Sequence, residues 1–192
     1  DLDNAADLNA ENIKKADVAI EFSGPHGAFG NLQKCISFGI PVVSGSTGWL
    51  EQLPSIEKNC RDKNGSFLYA SNFSVGVNIF FEINKRLAQL MATQPEYDVT
   101  ITEIHHTQKK DAPSGTAITI AEQIIEAIPR KDRWVNNLSD HNSDLSIISE
   151  RTDPYPGLHK VNYQSAIDEI EITHNAHNRN GFALGAVLAA EY

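Results

Sequence analysis

Between Tyr97 and Glu103 hydrophobic and polar residues alternate, Val99 and Ile101 against Thr100 and Thr102, and this period of two predicts a half-buried strand. After Ser114 the period lengthens. Ala117, Ile120, Ile124 and Ile128 recur at spacings of three and four, with Ala121 and Ile125 beside them, which predicts an amphipathic helix. Upstream, short apolar runs at Asp17–Ser23, Ile40–Ser44 and Ser66–Ala70 alternate with helical spacing at Gly27–Phe38 and Leu50–Lys63. That alternation predicts a parallel sheet with right-handed crossovers. A long amphipathic helix is expected over Ser74–Thr93, with Val77, Phe80, Phe81, Leu87 and Leu90 as its apolar set.

Downstream, Ile128–Asp144 is charged and Asn-rich and reads as exposed loop and short helix, with Trp134 as a packed cap. Leu145–Arg151 and Val161–His174 read as further strands. The intervening RTDPYPGLHKV reads as a turn or as a loop at the mouth of the site, and its Asp153, Tyr155 and His159 are not carried among the candidate site residues. Phe182–Glu191 closes the chain as a helix whose Ala183, Gly185, Ala186, Ala189 and Ala190 suit close packing on a sheet.

Composition narrows the partners. The 192 residues suffice for one large or two modest domains. A net charge of −9, with no basic run beyond Lys109-Lys110, argues against nucleic acid or an anionic membrane. No apolar run approaches the ~20 residues of a spanning helix. Two cysteines, Cys35 and Cys60, make no disulfide framework and fit a reducing cytoplasm.

The stretch EIHHTQKKDAPSGTA, from Glu103 to Ala117, joins the alternating strand to the helix, where a rigid scaffold presents binding and catalytic groups. His105 and His106 carry imidazoles, the side-chain type suited to acid–base work. Adjacent strand residues face opposite ways, so only one of the pair faces a site unless the strand ends there. Lys109 and Lys110 add positive charge. Ser114 fits an N-cap, and Gly115 and Thr116 then offer backbone N–H groups at the positive end of a helix, ready for a carboxylate or phosphate. Histidine spacing shows neither HExxH nor a Cys-His ligand pattern, so no catalytic metal is expected.

HHTQKKDAPSGTA closely resembles the signature of the dihydrodipicolinate reductase family: His-His, two residues, Lys, one residue, then Asp-Ala-Pro-Ser-Gly-Thr, with every fixed position filled. The resemblance implies that His105 acts as general acid or base and Lys109 as proton donor. It implies that His106, Ser114, Gly115 and Thr116 hold the substrate carboxylates. GSTG at 45–48 resembles the family's Gly-Thr-Thr-Gly loop, with Ser46 for the first Thr, and ASNFSVGVN resembles the segment where the chain leaves the cofactor domain. By that likeness Gly45, Ser46, Thr47, Ala70, Ser71, Asn72 and Phe73 line the nicotinamide half of the cofactor, with Phe22 and Ser23 near it. Arg179 and Phe182 would lie at the domain junction. Glu21 stands where the family strand has Asp.

The implied fold class is α/β: a partial Rossmann-type parallel-sheet domain over 1–73 and 179–192, and an α+β substrate and oligomerisation domain with an open mixed sheet over 74–178. The implied activity is reduction of 4-hydroxy-tetrahydrodipicolinate to tetrahydrodipicolinate with loss of water, using NADH or NADPH, in diaminopimelate and lysine biosynthesis. Domain closure would bring C4 of the substrate to the nicotinamide, in a cytoplasmic homotetramer. No Gly-x-Gly-x-x-Gly turn occurs in the chain. A βαβ opening carrying that turn is therefore expected upstream of Asp1, making this an N-terminally truncated member. Two other readings stand beside it: a dicarboxylate-binding or scaffold protein without a nucleotide site, and a different two-domain nicotinamide-dependent dehydrogenase.

Overall fold

The computed structural model describes residues 6–192; the acidic opening at residues 1–5 lies outside the described residues. The chain divides into two compact units, Asp1–Ser74 with Phe182–Tyr192, and Val75–Gly181.

In the first unit a one-turn helix, α1 (Ala10–Ile13), precedes three short parallel strands, β1 (Ala19–Glu21), β2 (Val42–Ser44) and β3 (Phe67–Tyr69), paired in that order. Two helices connect them, α2 (Pro25–Ser37) and α3 (Leu53–Asp62), the latter led in by a 3-10 turn at Leu50–Gln52. α2 starts on Pro25, whose missing N–H costs nothing in a first turn, and the chain turns away at Gly39 with φ 77°. Ala28, Leu32, Cys35 and Ile36 of α2 pack with Val42, Trp49 and Ile56 in the core of this unit.

The second unit opens with α4 (Val75–Met91) and continues through β4 (Asp98–His105), α5 (Gly115–Ala127), β5 (Arg133–Val135), β6 (Asp144–Arg151), β7 (Gly157–Gln164) and β8 (Glu169–Ala176). Its mixed sheet has the order β5-β6-β4-β7-β8, parallel from β5 to β4 and antiparallel beyond. Phe80, Ala88 and Met91 of α4, with Ala117, Ile120, Ala121 and Ile124 of α5, cover one face. Asn84, fully buried on α4, donates to the Ile120 carbonyl at 3.2 Å and so ties the two helices together. On the covered face Ile147, Ile101, Val161 and Ile172 form a row across β6, β4, β7 and β8. Two residues along each strand the row becomes Ser149, Glu103, His159 and His174. The core therefore turns polar at one end of the sheet.

Three expectations change. β7 begins at Gly157 rather than Val161, because Gly157, His159, Val161 and Tyr163 alternate inward and are all buried; the turn shrinks to residues 152–156. Residues 128–144 contain no helix but a short strand, β5, paired with β6. There Lys131 is buried, its Nζ 2.7 Å from Asp98 Oδ1 and 2.8 Å from the Asp144 carbonyl, and Trp134 packs against the core as part of β5. Leu90, expected inward on α4, is 53% exposed.

α6 (Asn180–Glu191) closes the chain. Its Ala186 packs on Val43 and Phe73 of the first unit, on the face of β2 opposite Val42. A Cβ on Gly185 would lie 1.7 Å from the Phe73 carbonyl oxygen, so helix and backbone meet at a distance only glycine permits. Gly185→Ala is expected to lower stability by about 1–3 kcal/mol, the usual range for overpacking. Gly30→Ala, on an open face of α2, is expected to be neutral or stabilising. Urea denaturation of the two variants beside the parent measures both.

Candidate active site

The polar end of the second sheet is built around one carboxylate. Glu103 continues the inward alternation of Val99 and Ile101 and is fully buried. Its Oε1 accepts from the Ser114 backbone N–H at 3.1 Å and from Arg151 Nη2 at 2.9 Å. Its Oε2 lies 3.1 Å from His105 Nδ1 and 3.9 Å from His159 Nε2. Burial alone would push the carboxyl pKa up, but the contacts from His105, Ser114 and Arg151 outweigh it and hold the group well below the ordinary carboxylate range. Glu103 is an anion at any physiological pH. Its Oε2 lies beside His105 Nδ1 within ion-pair distance, although the two atoms are not aligned for a hydrogen bond.

Around this anion the strands and the start of α5 converge. Arg151 also donates to the Asp111 carbonyl at 2.6 Å, which draws the 106–113 loop down onto β6. Ser114 caps α5 by accepting from Ala117 N at 3.2 Å, and its Oγ is 3.1 Å from His159 Nε2. The His159 ring stands edge-on to that of His105, with centroids 5.1 Å apart. Burial, followed by the neighbouring His105, pushes the His159 pKa down to about 3, so this imidazole is neutral. Lys109 Nζ is held by both Asp111 oxygens, at 2.9 and 2.7 Å, and the ammonium holds that carboxyl below its ordinary pKa.

The structure sorts the residues singled out in this loop. His105 faces the buried cluster. His106 lies just past the end of β4, half-buried, its Nε2 2.9 Å from Arg179 Nη2. Arg179 and His106 both belong to the second unit. Ser114 is only 2% exposed and its hydroxyl is engaged inward, while Gly115 at the helix start is exposed with open space around its Cα. Glu103, Arg151, Gly157 and His159 were given no role by sequence reasoning. The signal for Glu103 was present: the period of two that puts Val99 and Ile101 inward also puts a carboxylate there.

Glu103, His105 and His159 offer ligand-type atoms within 4.8 Å of one another. The guanidinium on Glu103 would repel a divalent cation at close range, so the cluster reads as a charge-balanced network rather than a metal centre.

The first unit carries a separate set of loops at the carboxyl ends of its parallel strands, the usual place for a nucleotide in such sheets. Buried Glu21 gathers them, accepting from Ser23 N at 2.7 Å, Ser44 Oγ at 2.7 Å and Ser46 Oγ at 3.0 Å. Ser46 Oγ also accepts from Gly24 N at 2.9 Å, so it ties two loops together from inside. A Cβ on Gly45 would lie 2.2 Å from the Phe22 ring. Phe73 is buried, and Phe22, Thr47 and Ser71 are exposed. A crevice opens nearby between Pro25, His26 and Phe29 of α2 and the Gly48–Gln52 turn.

Residues 4–73 match the family model for the dihydrodipicolinate reductase N-terminus, and residues 76–192 match the model for its C-terminus. The 4-hydroxy-tetrahydrodipicolinate reductase of Christiangramia forsetii is 50% identical over 191 residues, covering 100% of this chain and 80% of that protein. The Methanococcoides burtonii enzyme of the same name is 37% identical over 179 residues, covering 92% of this chain and 67% of that protein. The solved structure of dipicolinate-bound dihydrodipicolinate reductase from Paenisporosarcina sp. TG-14 superposes with a TM-score of 0.72 at 27% identity, covering 96% of this chain and 72% of that one. Among the described residues no helix is long and apolar enough to cross a membrane.

Two of the buried titratable groups, His159 and Glu103, give the stability of this site a pH signature. His159 has a folded pKa below its unfolded value, so between about 3 and 6.5 the unfolded chain binds the extra proton and stability falls as pH falls. Glu103 is also depressed, and its contribution, complete above the unfolded carboxyl value of 4.5, is lost only below it. From pH 7 to pH 5 the histidine therefore dominates, by on the order of 1–2 kcal/mol. Urea midpoints should fall over that range, and His159→Gln should flatten the slope; equal slopes in parent and variant would contradict the assignment.

Proposed function

The chain belongs to the dihydrodipicolinate reductase family, and from that premise we propose how its site reduces 4-hydroxy-tetrahydrodipicolinate to tetrahydrodipicolinate with loss of water, the step it serves in diaminopimelate and lysine biosynthesis. One observation carries the reading of the site. A buried anion, Glu103, fixes both a histidine at a strand end and the opening of a helix, and Arg151 ties the Lys109–Asp111 pair to the same anion.

Loss of the ring hydroxyl as water leaves an alkene conjugated with the imine. Hydride addition at C4 then drives electron density onto the neighbouring ring carbon, which must take a proton. A nicotinamide cofactor, NADH or NADPH, supplies the hydride when bound, and the chain's task is to bind, orient and protonate. Lys109 carries the ammonium suited to deliver that proton, and His105 is the acid–base group, its ring oriented by Glu103 from the Nδ1 side. The two carboxylates of the substrate are met by the N–H groups of Gly115 and Thr116 at the start of α5 and by His106. Ser114 acts here through the helix end it caps, since its hydroxyl is turned inward.

The cofactor half fits the same reading. The Gly45–Thr47 loop and Ala70–Phe73, with Phe22 and Ser23, occupy the carboxyl ends of three parallel strands, and Phe22, Thr47 and Ser71 expose an aromatic face and two hydroxyls there. Gly45 lets the loop pass over the Phe22 ring. Two free thiols, Cys35 and Cys60, suit a cytoplasmic setting.

The open face of the second sheet supports assembly into a homotetramer. Ile104, Ile148 and Leu158 are half-buried there beside Thr100 and Thr102, and Asn162 leaves a buried side-chain oxygen without a hydrogen-bond partner. Light scattering on the full gene product should give a mass of four chains, and Thr102→Arg should reduce it.

With the full gene product, His105→Ala and Lys109→Ala are each expected to lower kcat by about a hundredfold or more, with folding intact. Oxidation of NADPH or NADH by the substrate measures it. Near-parental turnover in either variant removes that residue from its role.

A further inference from the structure

We propose that His159, together with Gly157 two residues before it, is a positioning residue that holds the acid–base histidine and the carboxylate-binding helix start in register. The inference rests on the roles proposed above for His105 and for the opening of α5.

The geometry is two-sided. β7 presents Gly157 and His159 to the same face. A Cβ on Gly157 would stand 3.1 Å from His105 Nε2, so the missing side chain leaves the room into which that ring fits. His159 closes the adjoining side with its ring edge-on to His105. From the same ring Nε2 reaches Ser114 Oγ at 3.1 Å, and Ser114 caps α5. One imidazole therefore touches the proton-handling residue through its ring and the carboxylate-holding helix through its nitrogen. The contact with Ser114 holds whichever nitrogen carries the proton, because a hydroxyl both donates and accepts.

His159 is not itself an acid or base in turnover. It is 4% exposed and neutral, with no face open to a substrate. The groups facing the His105–His159 pair come from four elements and their flanking loops: Glu103 on β4, Arg151 on β6, His174 on β8, and Lys109 with Ser114 before α5. Among these Glu103 sets the local charge, and His159 sets the distance between ring and helix.

Two substitutions separate the two contacts. His159→Gln keeps a nitrogen able to reach Ser114 and removes the ring beside His105. It should lower kcat by about tenfold and displace the acid limb of the kcat–pH profile, with KM for the dicarboxylate little changed. His159→Phe keeps a ring and loses the bond to Ser114; KM and the dissociation constant for dipicolinate, read by calorimetry, should rise by about tenfold. Gly157→Ala, which crowds His105 without touching Ser114, should follow the Gln pattern. In the full gene product, folded variants that keep kcat, KM, pH profile and dipicolinate affinity within twofold of the parent overturn the proposal. So does a uniform loss tracking only the fraction of folded protein. If the parent itself fails to oxidise NADPH or NADH with the substrate, the proposed function fails instead, and dipicolinate binding by the variants still tests the contact with Ser114.

Discussion

Glu103 is a charge buried in the core of its unit, and much of the site follows from keeping it there. An isolated carboxylate in such a place would take up a proton or unfold its surroundings. It stays ionised because a guanidinium, a backbone N–H and an imidazole converge on it, and each comes from a different stretch of chain. Arg151 fixes the end of β6, Ser114 fixes the opening of α5, and His105 is turned so that Nδ1 faces the carboxylate. A group that is expensive to bury thus specifies geometry, because any rearrangement that removes one partner leaves charge uncompensated.

The first unit repeats the device at smaller scale. Glu21 ends β1 on a buried face and draws in hydroxyls from Ser44 and Ser46 as well as the Ser23 backbone. In each unit a carboxylate at a strand end gathers loops beyond the sheet, so the loops are ordered without long secondary structure of their own. The long Glu21 side chain reaches beyond the end of β1, and the serine hydroxyls meet it there.

Local periodicity made the scaffold legible. The shift from a period of two before His105 to a period near 3.6 after Ser114 located a strand, a loop and a helix, and the observed N-cap on Ser114 follows from residue type alone. What periodicity obscured was polar burial. Glu103 and His159 sit at inward positions by alternation, but a charged or titratable residue at such a position reads as the end of a pattern instead of its continuation. Arg151 lies 48 residues from Glu103 in the chain and reaches it only through the pairing of β4 with β6, while the pairing of β4 with β7 sets His159 beside Glu103. The stretch before His159 reads as a turn because it holds two prolines and a glycine, and that glycine proves to be the space beside His105.

Charge balance connects this architecture to the substrate. Glu103 with Arg151, and Asp111 with Lys109, form two ion pairs of no net charge, joined where Arg151 bonds the Asp111 carbonyl. A dicarboxylate bound as proposed at the start of α5 would bring two negative charges. The buried pair cannot answer them, since Arg151 is committed to Glu103. Lys109 can, because its partner Asp111 is an exposed carboxylate that water solvates well once released. The ammonium proposed as proton donor is therefore also the one cation of the two pairs that a bound dicarboxylate could recruit at modest cost, with Glu103 left untouched.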